Sequence, residues 1–169
     1  MLKYPSSRFL SMRLFRKFIL LMKAALPRRK PKRRFAWTLD EEKYLKLQEV
    51  NVLRQSCRTA KARAIRKGNL TAVRDWFMVE LGLNTGLRVE EMTRLQCGDL
   101  HVQAGQSLVS VRKGKGGKPR TVRINADFRK TCRWFLAWKL KQGQSTTPDA
   151  YLLTTGKGGQ ISKRALQKA

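Results

Sequence analysis

The residues best suited to chemistry on a phosphate are cations placed where a helix and a turn begin. Thr85-Gly86-Leu87-Arg88 puts an arginine in the first turn of a helix. A guanidinium there can bind a phosphate through two parallel hydrogen bonds, helped by the free backbone N–H groups of the helix end. Glu91 follows three residues later on the same helical face and can hold that guanidinium in one orientation. The same two residues also fit an ordinary surface ion pair of small energetic consequence. A second group, Lys113, Lys115 and Lys118, is set among glycines. Lysine on a tight turn reaches into a groove, and glycine lets the backbone approach a phosphate closely. A soluble, flexible turn has the same composition. Neither Gly-Lys stretch is a nucleotide-binding P-loop, because glycine follows Gly156-Lys157 and Tyr151 stands where the first glycine belongs.

Metal chemistry has little to build on. His101 is the single histidine, and Cys57, Cys97 and Cys132 are far apart with no C-x-x-C pair. A Cys/His zinc site is not expected, and no cofactor is implied. Three free thiols, buried or half-buried, fit a reducing compartment and so a cytoplasmic, DNA-associated protein.

The elements that must position these groups follow from periodicity. Thr38-Leu39-Asp40-Glu41 has the form of a capping box and opens a helix whose apolar side draws on Tyr44, Leu45, Leu47, Val50 and Leu53. A basic stretch, Arg54 to Lys67, ends at Gly68-Asn69. A largely buried helix is expected from about Leu70 to Leu83, broken by Asn84-Thr85-Gly86, and a shorter one from about Leu87 to Leu95. From Asp99 the period becomes two: 107–113 and 120–124 alternate around Gly114-Lys-Gly-Gly117, a hairpin with Leu108 and Val122 among its core-facing residues. Leu100-His101-Val102 adds a short third strand. A helix from about Ala126 to Lys141 carries Phe128, Cys132, Phe135, Leu136 and Leu140 on one side, and a last helix opens at Ile161-Ser162. The fold class is α+β: mainly helical, with a small antiparallel three-stranded sheet. Residues 1–37 form a basic N-terminal helix and linker, and 38–169 form the main domain.

Charge dominates the composition. There are 38 Lys and Arg against 11 Asp and Glu, a formal net charge of +27, so a polyanion is the expected partner. Within the first segment, Arg13, Arg16, Lys17 and Lys23 oppose Phe15, Phe18, Ile19 and Met22 on a helix from about Arg8 to Leu26. Such a helix suits packing, phosphates or a membrane surface. Pro27 to Arg34 reads as a solvated linker able to track a phosphate backbone. The longest early apolar run, Phe18–Met22, is far short of the ~20 residues a bilayer span needs.

In order, these pieces resemble one family. Arg74-Asp75, then Leu-Gly-Leu-Asn-Thr-Gly-Leu-Arg-Val-Glu-Glu-Met-Thr-Arg-Leu95 and Gly98-Asp99-Leu100, are similar to the arginine box of tyrosine recombinases (phage integrases). Val111-Arg-Lys-Gly-Lys-Gly-Gly-Lys-Pro-Arg-Thr-Val-Arg-Ile124 is similar to that family's β-hairpin, and Tyr151-Leu-Leu through Leu166 to the segment leading into its next helix. The resemblance covers about Thr38 to the C-terminus. It implies metal-free phosphoryl transfer in which a tyrosine attacks a DNA phosphate, arginines stabilise its charge, and a hairpin lysine protonates the leaving 5′-hydroxyl. Carried over by position, Arg88 is the first catalytic arginine, Glu91 its acidic support and Lys115 the general acid, with Lys113 the alternative. Lys113, Lys118 and Arg120 are expected to contact DNA. The family's His-x-x-Arg box and tyrosine nucleophile have no match. His101 lacks an arginine three positions on, and Tyr4, Tyr44 and Tyr151 do not follow such a box. The expectation is a truncated recombinase-like protein that binds double-stranded DNA, pairs with other recombinase subunits and does not cleave alone. A non-catalytic DNA-binding regulator and a ribosomal-type RNA-binding protein are the other readings. Ending inside a helix, the chain is expected to leave apolar residues near Leu152 and Leu166 uncovered.

Overall fold

The computed structural model describes residues 44–156 and 158–168. The basic helix expected over 8–26, the linker at 27–34 and the capping box at Thr38–Glu41 lie outside them. Helix α1, Leu47–Arg66, begins later than expected. Tyr44 and Leu47 are exposed, at 38% and 76%, rather than part of an apolar face. The cap comes from within the helix, because the Glu49 carboxylate accepts from the Lys46 N–H at 2.9 Å. The Arg54–Lys67 stretch then continues α1 and stops at Gly68, whose φ of +65° favours glycine. The chain divides into units 1–59 and 60–169 inside α1. The site lies in the second unit.

Helix α2, Leu70–Thr85, starts where the Asn69 side chain accepts from the Ala72 N–H at 3.1 Å, and ends at Gly86. Val73, Trp76, Phe77, Met78, Val79 and Leu81 are buried, so apolar contact surrounds much of it. Helix α3, Val89–Arg94, buries Val89 and Met92, with Leu95 just beyond. A 3-10 turn, Cys97–Asp99, leads into a three-stranded antiparallel sheet of β1 (Leu100–His101), β2 (Leu108–Val111) and β3 (Arg120–Arg123), in the order β1-β2-β3.

The hairpin register corrects one expectation. Val109 pairs with Val122 and Leu108 with Arg123, and directly paired residues share a face. Leu108 and Val122 therefore point to opposite faces. Val109 and Val111 are the core residues of β2, at 0% and 3% exposure, with Ile124 just past β3.

Helix α4, Ala126–Lys141, is capped by Asn125, whose side chain accepts from the Phe128 N–H at 2.7 Å. Its apolar side meets α2. The Phe77 and Phe135 rings stack at 3.8 Å, Phe128 stacks on Phe77 at 6.2 Å, and Trp76 meets Trp134 edge-on at 5.3 Å. Lys61 of α1 lies over both indoles, at 3.8 and 4.2 Å. Burying a ring such as Phe77 contributes roughly 1.5–3 kcal/mol, so this aromatic contact is the main weld between the helices. Leu140, expected on that side, is 63% exposed, Leu136 is half-buried, and Lys139 takes the inward position. The Lys139 ammonium donates to the Ser145 and Tyr151 carbonyls at 2.9 and 2.5 Å and approaches the Cys97 sulfur at 3.8 Å. Those acceptors make burial tolerable for a cation that the Phe128, Cys132, Phe135 spacing carries to the inward face although its charge favours solvent.

The last segment also departs from expectation. Leu152, Leu153, Ile161 and Leu166 are all buried at 0–1% exposure. Antiparallel bridges Gln96–Tyr151 and Thr154–Gln160 fold the segment back, and helix α5, Lys163–Lys168, packs against α3. Lys163 pairs with Glu90 at 2.8 Å, and the Gln160 amide donates to the Thr93 carbonyl at 3.0 Å. Leu152 and Leu166 thus find cover within the chain itself. Cys97 and Cys132 are buried free thiols and Cys57 is half-buried. No helix among the described residues is long and apolar enough to cross a membrane.

Candidate functional site

Three local features deliver Arg88. Helix α2 ends because Gly86 adopts φ +60°, a conformation that costs other residues energy, and its N–H returns to the Gly82 carbonyl at 2.9 Å. The Asn84 and Thr85 side chains donate to the Glu80 and Leu81 carbonyls at 2.7 and 2.6 Å, so the last turn keeps its shape. Arg88 is then the residue before α3, extended at φ −69° and ψ 153°, rather than inside its first turn. Its backbone N–H donates to Glu91 Oε2 at 2.8 Å. Arginine and carboxylate are thereby locked by a main-chain bond as well as by charge.

Glu91 is the hub. Its side chain is 4% exposed, and Arg88 Nη1 reaches Oε1 at 3.3 Å. From the hairpin, 29 residues along the chain, Arg120 Nη1 donates to Oε1 at 2.6 Å and Nη2 to Oε2 at 2.9 Å. Burial works to raise the Glu91 carboxyl. The hydrogen bonds from Arg120 and the Arg88 N–H, with the charges of both guanidinium groups, outweigh it and hold the carboxyl below its ordinary value. The bond to Glu91 correspondingly raises Arg120, against the smaller pull of its own desolvation. Two cations on one carboxylate leave a positive charge unmatched. Among the described residues Glu91 is the acceptor that the Arg88 guanidinium meets, and Arg88 Nε is buried with no partner.

The hairpin brings its lysines alongside. A 3-10 turn at Lys115–Gly117 closes through bonds from the Gly117 N–H to the Gly114 carbonyl at 3.0 Å and from the Gly114 N–H to the Lys118 carbonyl at 2.9 Å. Gly114 is there for space. A Cβ on it would lie 2.7 Å from the Lys118 oxygen, 2.9 Å from Arg120 Nη1 and 3.9 Å from Glu91 Oε1. The turn therefore starts against the Glu91–Arg120 pair. Lys113 and Lys118 are exposed, and Lys113 lines a groove together with Glu91, Arg94, Arg112 and Gln160. The backbone of Lys115 sits in the turn, and its side chain lies outside the described atoms.

A second buried carboxylate holds the other strand at the turn. Asp99, 5% exposed at its side chain, accepts from Arg112 Nε at 2.7 Å and from the Gln96 N–H at 2.9 Å. Neither this bond nor the Arg120 bond to Glu91 was legible from spacing. The available signal is scarcity: with 11 acids among 38 bases, a carboxylate that becomes buried meets arginine. His101 Nε2 is bonded to Ser110 Oγ at 2.8 Å across β1 and β2, and Arg74 is turned to Asp75 and the Thr154 carbonyl, at 2.7 and 3.1 Å.

Comparison with known proteins gives the family and the fold. The model of the phage integrase family matches residues 43–169. A tyrosine recombinase XerC of Proteus mirabilis is 34% identical over 98 residues, covering 57% of this chain and 30% of that protein. The XerC of Pseudomonas entomophila is 30% identical over 138 residues, covering 82% and 40%. A solved XerA recombinase superposes with a TM-score of 0.54 at 22% identity, over 83% of this chain and 44% of that one, a likeness of fold. The matched region thus spans less than half of each of these relatives.

Proposed function

This chain belongs to the phage integrase family, and from that premise we propose that it binds double-stranded DNA in site-specific recombination and carries the phosphate-clamping half of a strand-transfer site. The observation that supports this most is the arginine held by Glu91 with part of its fork unspent, beside a lysine-bearing turn. Arg88 would take the non-bridging oxygens of one phosphate, with Glu91 keeping it in place. Lys115, with Lys113 as the alternative, would give a proton to the 5′-oxygen as a tyrosine oxygen attacks phosphorus and the P–O5′ bond breaks. Lys113 and Lys118 would hold neighbouring phosphates. The nucleophile is assigned to neither described tyrosine: Tyr151 lines the groove beside Glu91 and Lys113, but neither it nor Tyr44 follows a His-x-x-Arg box. Cleavage by residues 1–169 alone is accordingly not expected, and other recombinase subunits are proposed as partners. The regulator and RNA-binding readings gain nothing from the comparisons.

The test is duplex binding by the whole chain and by Arg88→Ala. The variant is expected to bind less tightly, with a salt slope shallower by about 0.9, the loss of one phosphate contact, and an unchanged melting temperature. A large drop in melting temperature with an unaltered slope would assign Arg88 to structure. On a nicked suicide substrate no covalent adduct is expected, and one mapped to Tyr151 would overturn the assignment of the nucleophile.

A further inference from the structure

We infer that Arg120 is a positioning residue of this site rather than one of its DNA contacts: by saturating Glu91 it keeps the Arg88 guanidinium free for phosphate and ties the lysine turn to it. The inference rests on the phosphate-binding reading and deepens it.

Two arginines share one buried carboxylate, and they share it unequally. Arg120 takes both oxygens end-on at 2.6 and 2.9 Å, whereas the Arg88 side chain has a single long bond of 3.3 Å to the oxygen Arg120 already holds. The second oxygen also receives the Arg88 backbone N–H at 2.8 Å. A carboxylate so occupied competes weakly for the rest of Arg88. Without Arg120, the same carboxylate would be left buried with one cation, and the nearest way to satisfy it is to draw the Arg88 fork fully inward. Phosphate would then have to compete with Glu91 for the group that binds it. The turn is built around this contact as well, since Gly114 leaves room for Arg120 Nη1 where a Cβ would stand 2.9 Å away. Lysine cannot replace Arg120, because an ammonium is a point charge and cannot span both oxygens in one plane.

The experiment is a titration of the 15N-arginine-labelled chain with inorganic phosphate, following the arginine Nε–H resonances. In the unaltered chain Arg88 is expected to shift with phosphate and Arg120 to stay still. In Arg120→Lys the backbone amide spectrum away from 88–91 and 113–120 should persist, while the phosphate affinity read at Arg88 falls about tenfold, a usual size for loss of a supporting residue. Glu91→Asp shortens the bridge from the other side and keeps both charges. It is expected to give the same loss, and it serves as the test should Arg120→Lys fail to fold. If Arg88 responds equally in both variants, or if the Arg120 resonance itself follows phosphate, the phosphate site stands and the positioning role is overturned. If Arg88 is silent in the unaltered chain, the phosphate reading fails and takes this inference with it.

Discussion

Glu91 accepts from both guanidinium groups and from the Arg88 N–H, and this makes the site sensitive to acid in a definite direction. Its folded carboxyl lies below the ordinary 4.5 despite burial. A depressed carboxyl contributes stability that is complete above the unfolded value and lost as pH falls through the folded one. The Arg88 and Arg120 resonances are therefore expected to stay unchanged down through pH 4.5 and to move at lower pH. Movement beginning above 4.5 would show a carboxylate its arginines do not stabilise. Lys139 is the opposite kind of buried charge. Desolvation lowers its ammonium below the ordinary 10.5, and Cys97 opposes that in part. Lys139→Met removes the buried cation but leaves the Ser145 and Tyr151 carbonyls without this donor. A buried acceptor left unpaired costs about 1–3 kcal/mol, so a net loss of about 2 kcal/mol is expected in denaturant titration. Equal or greater stability would mean that water or a rearranged loop takes over those carbonyls.

Among the elements, the turn of the hairpin is held on both sides by carboxylates of the preceding segment. Asp99 takes Arg112 at the end of β2 and Glu91 takes Arg120 at the start of β3. The lysine turn between them owes its place to these two bonds as much as to its own geometry. Gly114→Ala tests the tighter side. The added methyl would meet the Lys118 oxygen at 2.7 Å and Arg120 Nη1 at 2.9 Å, so the turn must shift, and a destabilisation of about 1–3 kcal/mol is expected. Gly156→Ala is the control. Nothing lies within 4 Å of its Cβ position, and thermal unfolding should change by under about 0.5 kcal/mol. Similar effects at both positions would remove the packing argument for Gly114.

For the molecule taken together, charge decides the partner's sign and the tertiary contacts decide where it binds. A net +27 makes counterion release the main driving force for binding a polyanion. For about six contacted phosphates, duplex affinity should fall roughly 10³-fold between about 50 and about 200 mM salt. An affinity indifferent to salt over that range would remove the electrostatic basis of the interface. The same charge disfavours self-association of the free chain, which sedimentation at low salt can check.

The local pieces follow from residue order alone. Gly68-Asn69 and Asn84-Thr85-Gly86 mark breaks between helices, alternation marks the hairpin, and three ordered boxes carry the family resemblance, because φ-limited turns and periodicity act over a few residues. Where two local choices are nearly equal, the folded chain chose. The pairing parity put Val109 rather than Leu108 in the core, and Lys139 turned inward because carbonyls from a later loop were there to receive it. The same held at the site: of two arginines 32 positions apart, folding gave Glu91's bidentate contact to Arg120 and left Arg88 with an open fork. Charge-assisted bonds between distant segments depend on through-space distance, and no local periodicity encodes that.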